Sequence, residues 1–143
     1  MNTADLLEKA ILIAVQAHRG QKDKNGKPYI LHPISVMGKV KTETEKIVAI
    51  LHDVVEDTNW TFADLRNEGF PAEILEALEC LTKRDGEAYE DFIHRSAQNP
   101  LARRVKLADL EDNMDVRRMR EVTEEDHVRL ARYRRAWTLL TDE

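Results

Sequence analysis

Cysteine is nearly absent. Cys80 stands alone, which excludes an intrachain disulfide and a metal site built on thiolates. Glycine and proline are also scarce, five and four in 143 residues, so few positions interrupt a helix, while Ala, Leu, Glu, Lys and Arg are plentiful. No run approaches the roughly 20 apolar residues that span a bilayer. Met1 to Lys9 carries acids where a signal peptide would have an apolar stretch, so a cytoplasmic address and no membrane partner are expected. A basic surplus is missing too. The net charge of −5 removes the general electrostatic reason for binding nucleic acid, although a local cluster of cations would still hold a small anion. Strand-like alternation, internal repeats and low-complexity tracts are absent. With 42% apolar and 34% charged residues, the chain suits one soluble globular domain and is short for two.

Helical periodicity accounts for most of the sequence. A first helix is expected over residues 3–20, with Leu7, Ile11, Ala14 and His18 on one face; His18 there reads as a packed or supporting residue. Asn25-Gly26 marks a turn in the least helical stretch, 21–31. Pro33 fits the first turn of a second helix. Thr42 or Thr44 caps a third, over about 45–57, and Thr61-x-x-Asp64 reads as a capping box. Pro71 opens a helix with Ile74, Leu75, Leu78 and Leu81 buried, and further helices are expected over 87–98, 100–118 and 124–140. In the last, Leu130, Tyr133, Trp137 and Leu140 suit a core or a self-association face, leaving homo-oligomerisation open. Arg129, Arg132, Arg134 and Arg135 flank them and read first as a solvated face paired with nearby acids, the alternative being that one or two reach phosphates. His94 and His127 read as surface residues. The expected fold is all-α: one domain over 1–143, a bundle of seven to eight helices.

The third helix is apolar on most sides, with Ile47, Ile50, Leu51, Val54 and Val55 spread around it. Its remaining arc carries His52, Asp53, Glu56 and Asp57, spaced to project as one polar patch. Carboxylates crowded in a partly buried place repel one another and lose hydration unless a cation joins them. Two weaker constellations lie elsewhere. Asp109 has Lys106 three residues before it, and Asp112 and Asn113 three and four beyond. His32 sits in Tyr29-Ile30-Leu31-His32-Pro33 at a helix entrance. Two imidazoles and two carboxylates together suit a borderline divalent metal with positions left for water and substrate.

These residues resemble a known family. Leu51-His52-Asp53-Val54-Val55-Glu56-Asp57-Thr58 resembles the signature of the HD hydrolase domain of RelA/SpoT homologues and small alarmone hydrolases. Ala17-His18-Arg19-Gly20-Gln21, continuing to Gly26-Lys27-Pro28-Tyr29-Ile30-Leu31-His32-Pro33, resembles its first motif; Val105-Lys106-Leu107-Ala108-Asp109 with Asn113-Met114 resembles its last. The resemblance implies that His32, His52, Asp53 and Asp109 bind one divalent metal, typically manganese, though the same ligands accept iron, cobalt or zinc. It implies that Glu56 and Asp57 position and deprotonate the attacking water, and that Asn113 lies near the nucleoside. The implied reaction removes pyrophosphate from the 3′ position of guanosine tetra- or pentaphosphate, giving GDP or GTP, with no synthetase domain. A small phosphorylated nucleotide is thus the expected partner, with Lys22, Lys24 and Lys106 as further substrate-binding candidates.

Two positions depart from the family pattern. Asp23 stands where the alarmone hydrolases carry an arginine that stacks on guanine, and Leu110 where they often carry Arg or Lys. Both changes are expected to alter the surroundings of the substrate and leave the metal site intact. The alternatives are therefore an HD phosphohydrolase for another nucleotide or phosphorylated metabolite, and a nucleotide-binding module without turnover.

Overall fold

The computed structural model describes residues 2–142, which form α-helices joined by short connections. In order they are α1 (Thr3–Ala17), α2 (Leu31–Gly38), α3 (Glu43–Leu51), α4 (Val54–Asp57), α5 (Phe62–Asn67), α6 (Ala72–Cys80), α7 (Tyr89–Ala97), α8 (Pro100–Asn113) and α9 (Glu124–Thr141), with a 3-10 turn at Val116–Arg118. No strand occurs among the described residues; Lys22 and Pro28 form an isolated bridge. No described helix is long and apolar enough to cross a membrane.

Local chemistry sets the helix starts. Thr42 caps α3 and Glu45 reaches back to it, a reciprocal arrangement that Thr61–Asp64 and Thr123–Asp126 repeat at α5 and α9. Asn99 caps α8, with Pro100 in its first turn, where a missing amide costs nothing. Asn25-Gly26 turns as its sequence suggests, Gly26 taking a φ of 80° that glycine adopts without strain.

Helix α3 is central. Ile47, Val48, Ala49, Ile50 and Leu51 are all buried, because α1, α2, α6 and α8 pack around it. This explains its apolar residues on every side. They belong to the larger of two hydrophobic clusters, which takes in Leu6, Ile13, Val36, Leu65, Ile74, Leu78, Leu101 and Val105. The smaller comprises Phe92, Ile93, Leu110, Ala136 and Leu140, with Tyr133 and Trp137 against it. Helix α8 contributes to both, so the metal-site candidates lie where the two clusters meet.

The helix expected over 45–57 is interrupted. The Ala49 carbonyl, which in a continuous helix would accept from the Asp53 amide, instead accepts from His52 Nδ1 at 2.6 Å. The chain turns at His52–Asp53 and resumes as α4, the Asp57 amide bonding to the Asp53 carbonyl at 3.0 Å. Counted as one interrupted helix, α3 and α4 bring the α-helices among the described residues to eight, within the expected seven to eight. The helix expected over 100–118 similarly ends at Asn113, and Asp115 caps the 3-10 turn through the Arg117 amide.

Candidate metal centre and cleft

His32 enters from α2, His52 from the end of α3, Asp53 from the turn beyond it and Asp109 from α8. One ligand atom each from His32, His52 and Asp109 lies within 4.8 Å of the others. His32 Nε2 is 2.8 Å from Asp109 Oδ1. His52 Nε2 is 3.4 Å from the same oxygen and 3.1 Å from Asp53 Oδ2, which is 4.0 Å from His32 Nε2. Neither contact gives His52 Nε2 an aligned hydrogen bond, so this buried atom is held by the proximity of two carboxylates alone. A buried polar atom left so is costly, and here it faces two carboxylates.

Both histidines are anchored from behind. With Nδ1–H of His52 donated to the Ala49 carbonyl, its Nε2 lone pair is free for a cation. His32 Nδ1 lies 2.6 Å from Asp112 Oδ2, which leaves Nε2 as its inward atom too. Two Nε2 atoms and two carboxylates thus converge, a donor set that fits one divalent cation.

The protonation states follow from this crowding. Burial opposes charge on His32, but its hydrogen bonds to Asp109 and Asp112 outweigh burial and raise it to about 9. Burial likewise opposes charge on His52, which Asp53 and Asp109 hold well above the ordinary histidine range. Burial would raise the Asp109 carboxyl, yet Lys106 and His52 keep it well below the usual carboxylate range. Asp53 is held down to about 2 against burial, chiefly by His52. The Tyr29 hydroxyl also donates to Asp53 Oδ2. Protons on the imidazoles therefore balance the carboxylates, and a divalent cation would take their place.

The centre opens into a cleft of about 720 Å³. Glu56 lies on its wall with Oε1 accepting from the Lys83 amide at 2.8 Å. Partial burial, then the charges of Asp53 and Glu56, push the Asp57 carboxyl up to about 6. Lys106 Nζ is 2.8 Å from Asp109 Oδ2, and Asn113 Nδ2 donates to Asp109 Oδ1 at 3.2 Å. These substrate-binding candidates both line the cleft and both brace the aspartate. Lys22 and Lys24 line it too, Lys24 pairing with Asp126 of α9.

Several placements lay outside the sequence reading. Arg129 and Arg132 were expected chiefly on a solvated face, with reach to phosphates the alternative for one or two of the arginines. Both line the cleft, Arg129 pairing with Asp126 at 2.6 Å and Arg132 lying 4.6 Å over the Tyr89 ring. Folding brings α9 against α7 and α8, a long-range contact that spacing within α9 does not encode. Arg134 and Arg135 remain exposed, as do His94 and His127, while His18 is buried and its Nδ1 donates to Gln21 Oε1, 2.8 Å away. Leu110 was expected beside the substrate. It is fully buried in the smaller cluster, so its side chain serves packing. Asp23 does line the cleft, but its Oδ1 accepts from the Asn25 and Lys27 amides at 2.8 and 3.0 Å and closes its own loop. Asp112 was noted only for its spacing from Asp109, and Lys83 and Arg118 carried no sequence signal.

An all-helical fold in which a His-Asp pair, a second histidine and a distant aspartate converge defines the HD type of metal-binding domain. Comparisons with known proteins are more specific. A GTP pyrophosphokinase of Myxococcus xanthus is 32% identical over 145 residues, covering 89% of this chain and 19% of that protein. A guanosine-3′,5′-bis(diphosphate) 3′-pyrophosphohydrolase of Aquifex aeolicus is 32% identical over 123 residues, covering 78% of this chain and 18% of that protein. The chain thus spans only about a fifth of the length of these relatives. A solved structure described as a metazoan orthologue of SpoT that hydrolyses ppGpp superposes with a TM-score of 0.77. It covers 94% of this chain and 84% of that one at 24% identity, which establishes the fold. No family model matches the chain. The chain is an HD domain resembling the hydrolase domain of the RelA/SpoT homologues.

Proposed function

We propose that the cleft is the active site of a metal-dependent phosphohydrolase that removes the 3′-pyrophosphate of guanosine tetra- or pentaphosphate. His32, His52, Asp53 and Asp109 would hold one divalent cation, manganese by family resemblance. The observation that carries this reading is the convergence of two back-anchored Nε2 atoms on Asp109 Oδ1. The hydrolase name of the Aquifex aeolicus relative favours this reaction; the Myxococcus xanthus relative carries a kinase name, and this chain covers about a fifth of either protein.

When bound, the cation would acidify water and neutralise charge on the phosphoryl group. The chain's own residues supply the rest. Glu56, fixed by the Lys83 amide, holds the nucleophilic water. Asp57, whose carboxyl is pushed up to about 6 by partial burial and the charges of Asp53 and Glu56, suits a proton acceptor. Attack at the phosphorus attached to the 3′ oxygen breaks that P–O bond and releases pyrophosphate. Lys22, Lys24, Lys83, Arg118, Arg129 and Arg132 offer cations along the cleft for a polyanionic substrate.

One observation favours a second reading. With the Asp23 carboxylate committed to its own turn, no guanidinium stacks on guanine from that position, so another phosphorylated nucleotide or metabolite could be the substrate. Manganese-dependent turnover of guanosine tetraphosphate, ordinary nucleotides and 3′-phosphorylated nucleosides separates the two, with phosphate and pyrophosphate followed independently. Pyrophosphate release from the tetraphosphate alone is the expected result. Turnover of another compound alone moves the substrate, and silence across the panel removes the enzyme reading.

A further inference from the structure

Asp112 has no part in the reaction just described, yet it is among the best-held carboxylates in the molecule. It is 2% exposed and lies one helical turn beyond Asp109 on α8. Its Oδ1 accepts from Ser35 Oγ at 2.6 Å. Its Oδ2 is 3.0 Å from Arg118 Nη2, which also donates to the Asp112 carbonyl at 2.7 Å. The same Oδ2 meets His32 Nδ1 at 2.6 Å. One helix therefore grips both nitrogens of one imidazole, with Asp109 at Nε2 and Asp112 at Nδ1.

We propose that Asp112 is a positioning residue for the metal centre: held by Ser35 and Arg118, it keeps the His32 proton on Nδ1 and aims Nε2 at the cation. The inference rests on the metal-site reading above. A carboxylate accepting from Nδ1–H fixes the tautomer and the ring plane and makes the opposite nitrogen a stronger ligand. Without it, the Arg118 guanidinium would stand beside Nδ1 and favour a bare lone pair there. The proton would then move to Nε2, the tautomer that cannot bind metal. His52 reaches the same orientation through a backbone carbonyl, so the two histidines are set by different devices, and only that of His32 depends on a side chain.

The test is binding of manganese to metal-stripped protein, with affinity measured across pH and helicity followed by circular dichroism. Asp112→Ala should weaken manganese binding by roughly 10–100-fold while the helical signal persists. Asp112→Asn, which can still accept from Nδ1–H but carries no charge, should recover part of the loss. If Asp112→Ala fails to fold, Asp112→Asn decides: it should bind several-fold more weakly than the unmodified protein. Wild-type Kd in the folded Asp112 variants, with Asp109→Ala unable to bind, would overturn the proposal and spare the metal site. If the unmodified protein binds no manganese, or Asp109→Ala binds as well as it does, the metal-site reading fails and the proposal with it.

Discussion

Under the proposed function Glu56 and Asp53 have separable duties, one toward the water and one toward the cation, and single substitutions can divide them. Glu56 touches the cleft and a backbone amide and none of the converging nitrogens, so Glu56→Ala should keep its metal and lose turnover by roughly 10²–10⁴-fold. Turnover at the unmodified rate would remove Glu56 from the reaction. Asp53→Ala should purify without metal by elemental analysis, since Asp53 Oδ2 is the carboxylate nearest the orphaned His52 Nε2. His32 gives metal-free protein a pH signature. Its imidazole rises from 6.5 to about 9 on folding, so the protonated form stabilises the fold. That stability is complete below pH 6.5 and is lost as pH rises through about 9, on the order of 3 kcal/mol. Thermal melts in chelator should show the loss, and His32→Gln should reduce it, leaving the part that His52 contributes. These candidate ligands were legible in the sequence only in combination, since two imidazoles and two carboxylates together suit a divalent metal, while His32 or Asp109 alone reads as an ordinary residue. Asp112 was not, because an acid three residues from another reads as an ordinary helix surface until α2 and the 3-10 turn close over it.

At the scale of elements, the caps were readable and the interruptions were not. Thr42–Glu45 and Thr61–Asp64 use local spacing alone, whereas the turn at His52–Asp53 depends on where one imidazole proton goes. The apolar pattern runs through that break from Leu51 to Val54 and Val55, so periodicity predicts a continuous helix. The connection between α6 and α7 is the other informative element. Arg95 donates to the Glu79 and Thr82 carbonyls, both at 2.7 Å, and to both oxygens of Glu87 at 2.8 and 2.9 Å. It thereby fixes the segment whose Lys83 amide holds Glu56. Arg95→Ala should speed amide exchange across residues 82–88 by roughly tenfold or more and reduce turnover, with manganese affinity unchanged. Unaltered exchange there would mean that the segment is held by other contacts.

The whole molecule is two unequal cores with α8 as their common wall. The larger holds α1 to α3 and α6 around the candidate metal ligands; the smaller fastens α9 through Leu110, Ala136 and Leu140. Leu110→Ala should cost about 3 kcal/mol, as removal of a fully buried leucine does, read as a lowered midpoint in denaturant. Little of this division was legible in the sequence, because Arg129, Arg132 and Tyr133 reach the cleft only once α9 docks. The unequal partition also bears on how the molecule breathes. The smaller core has fewer buried side chains to hold it, so α9 should lift away in sub-global excursions well before α3 is exposed. Each excursion would carry off the arginine-lined side of the cleft and leave the His32, His52, Asp53 and Asp109 cluster intact. Residence of a bound polyanion would then be set by the cohesion of five apolar side chains, among them Leu110 next to Asp109 and Phe92 on the cleft wall.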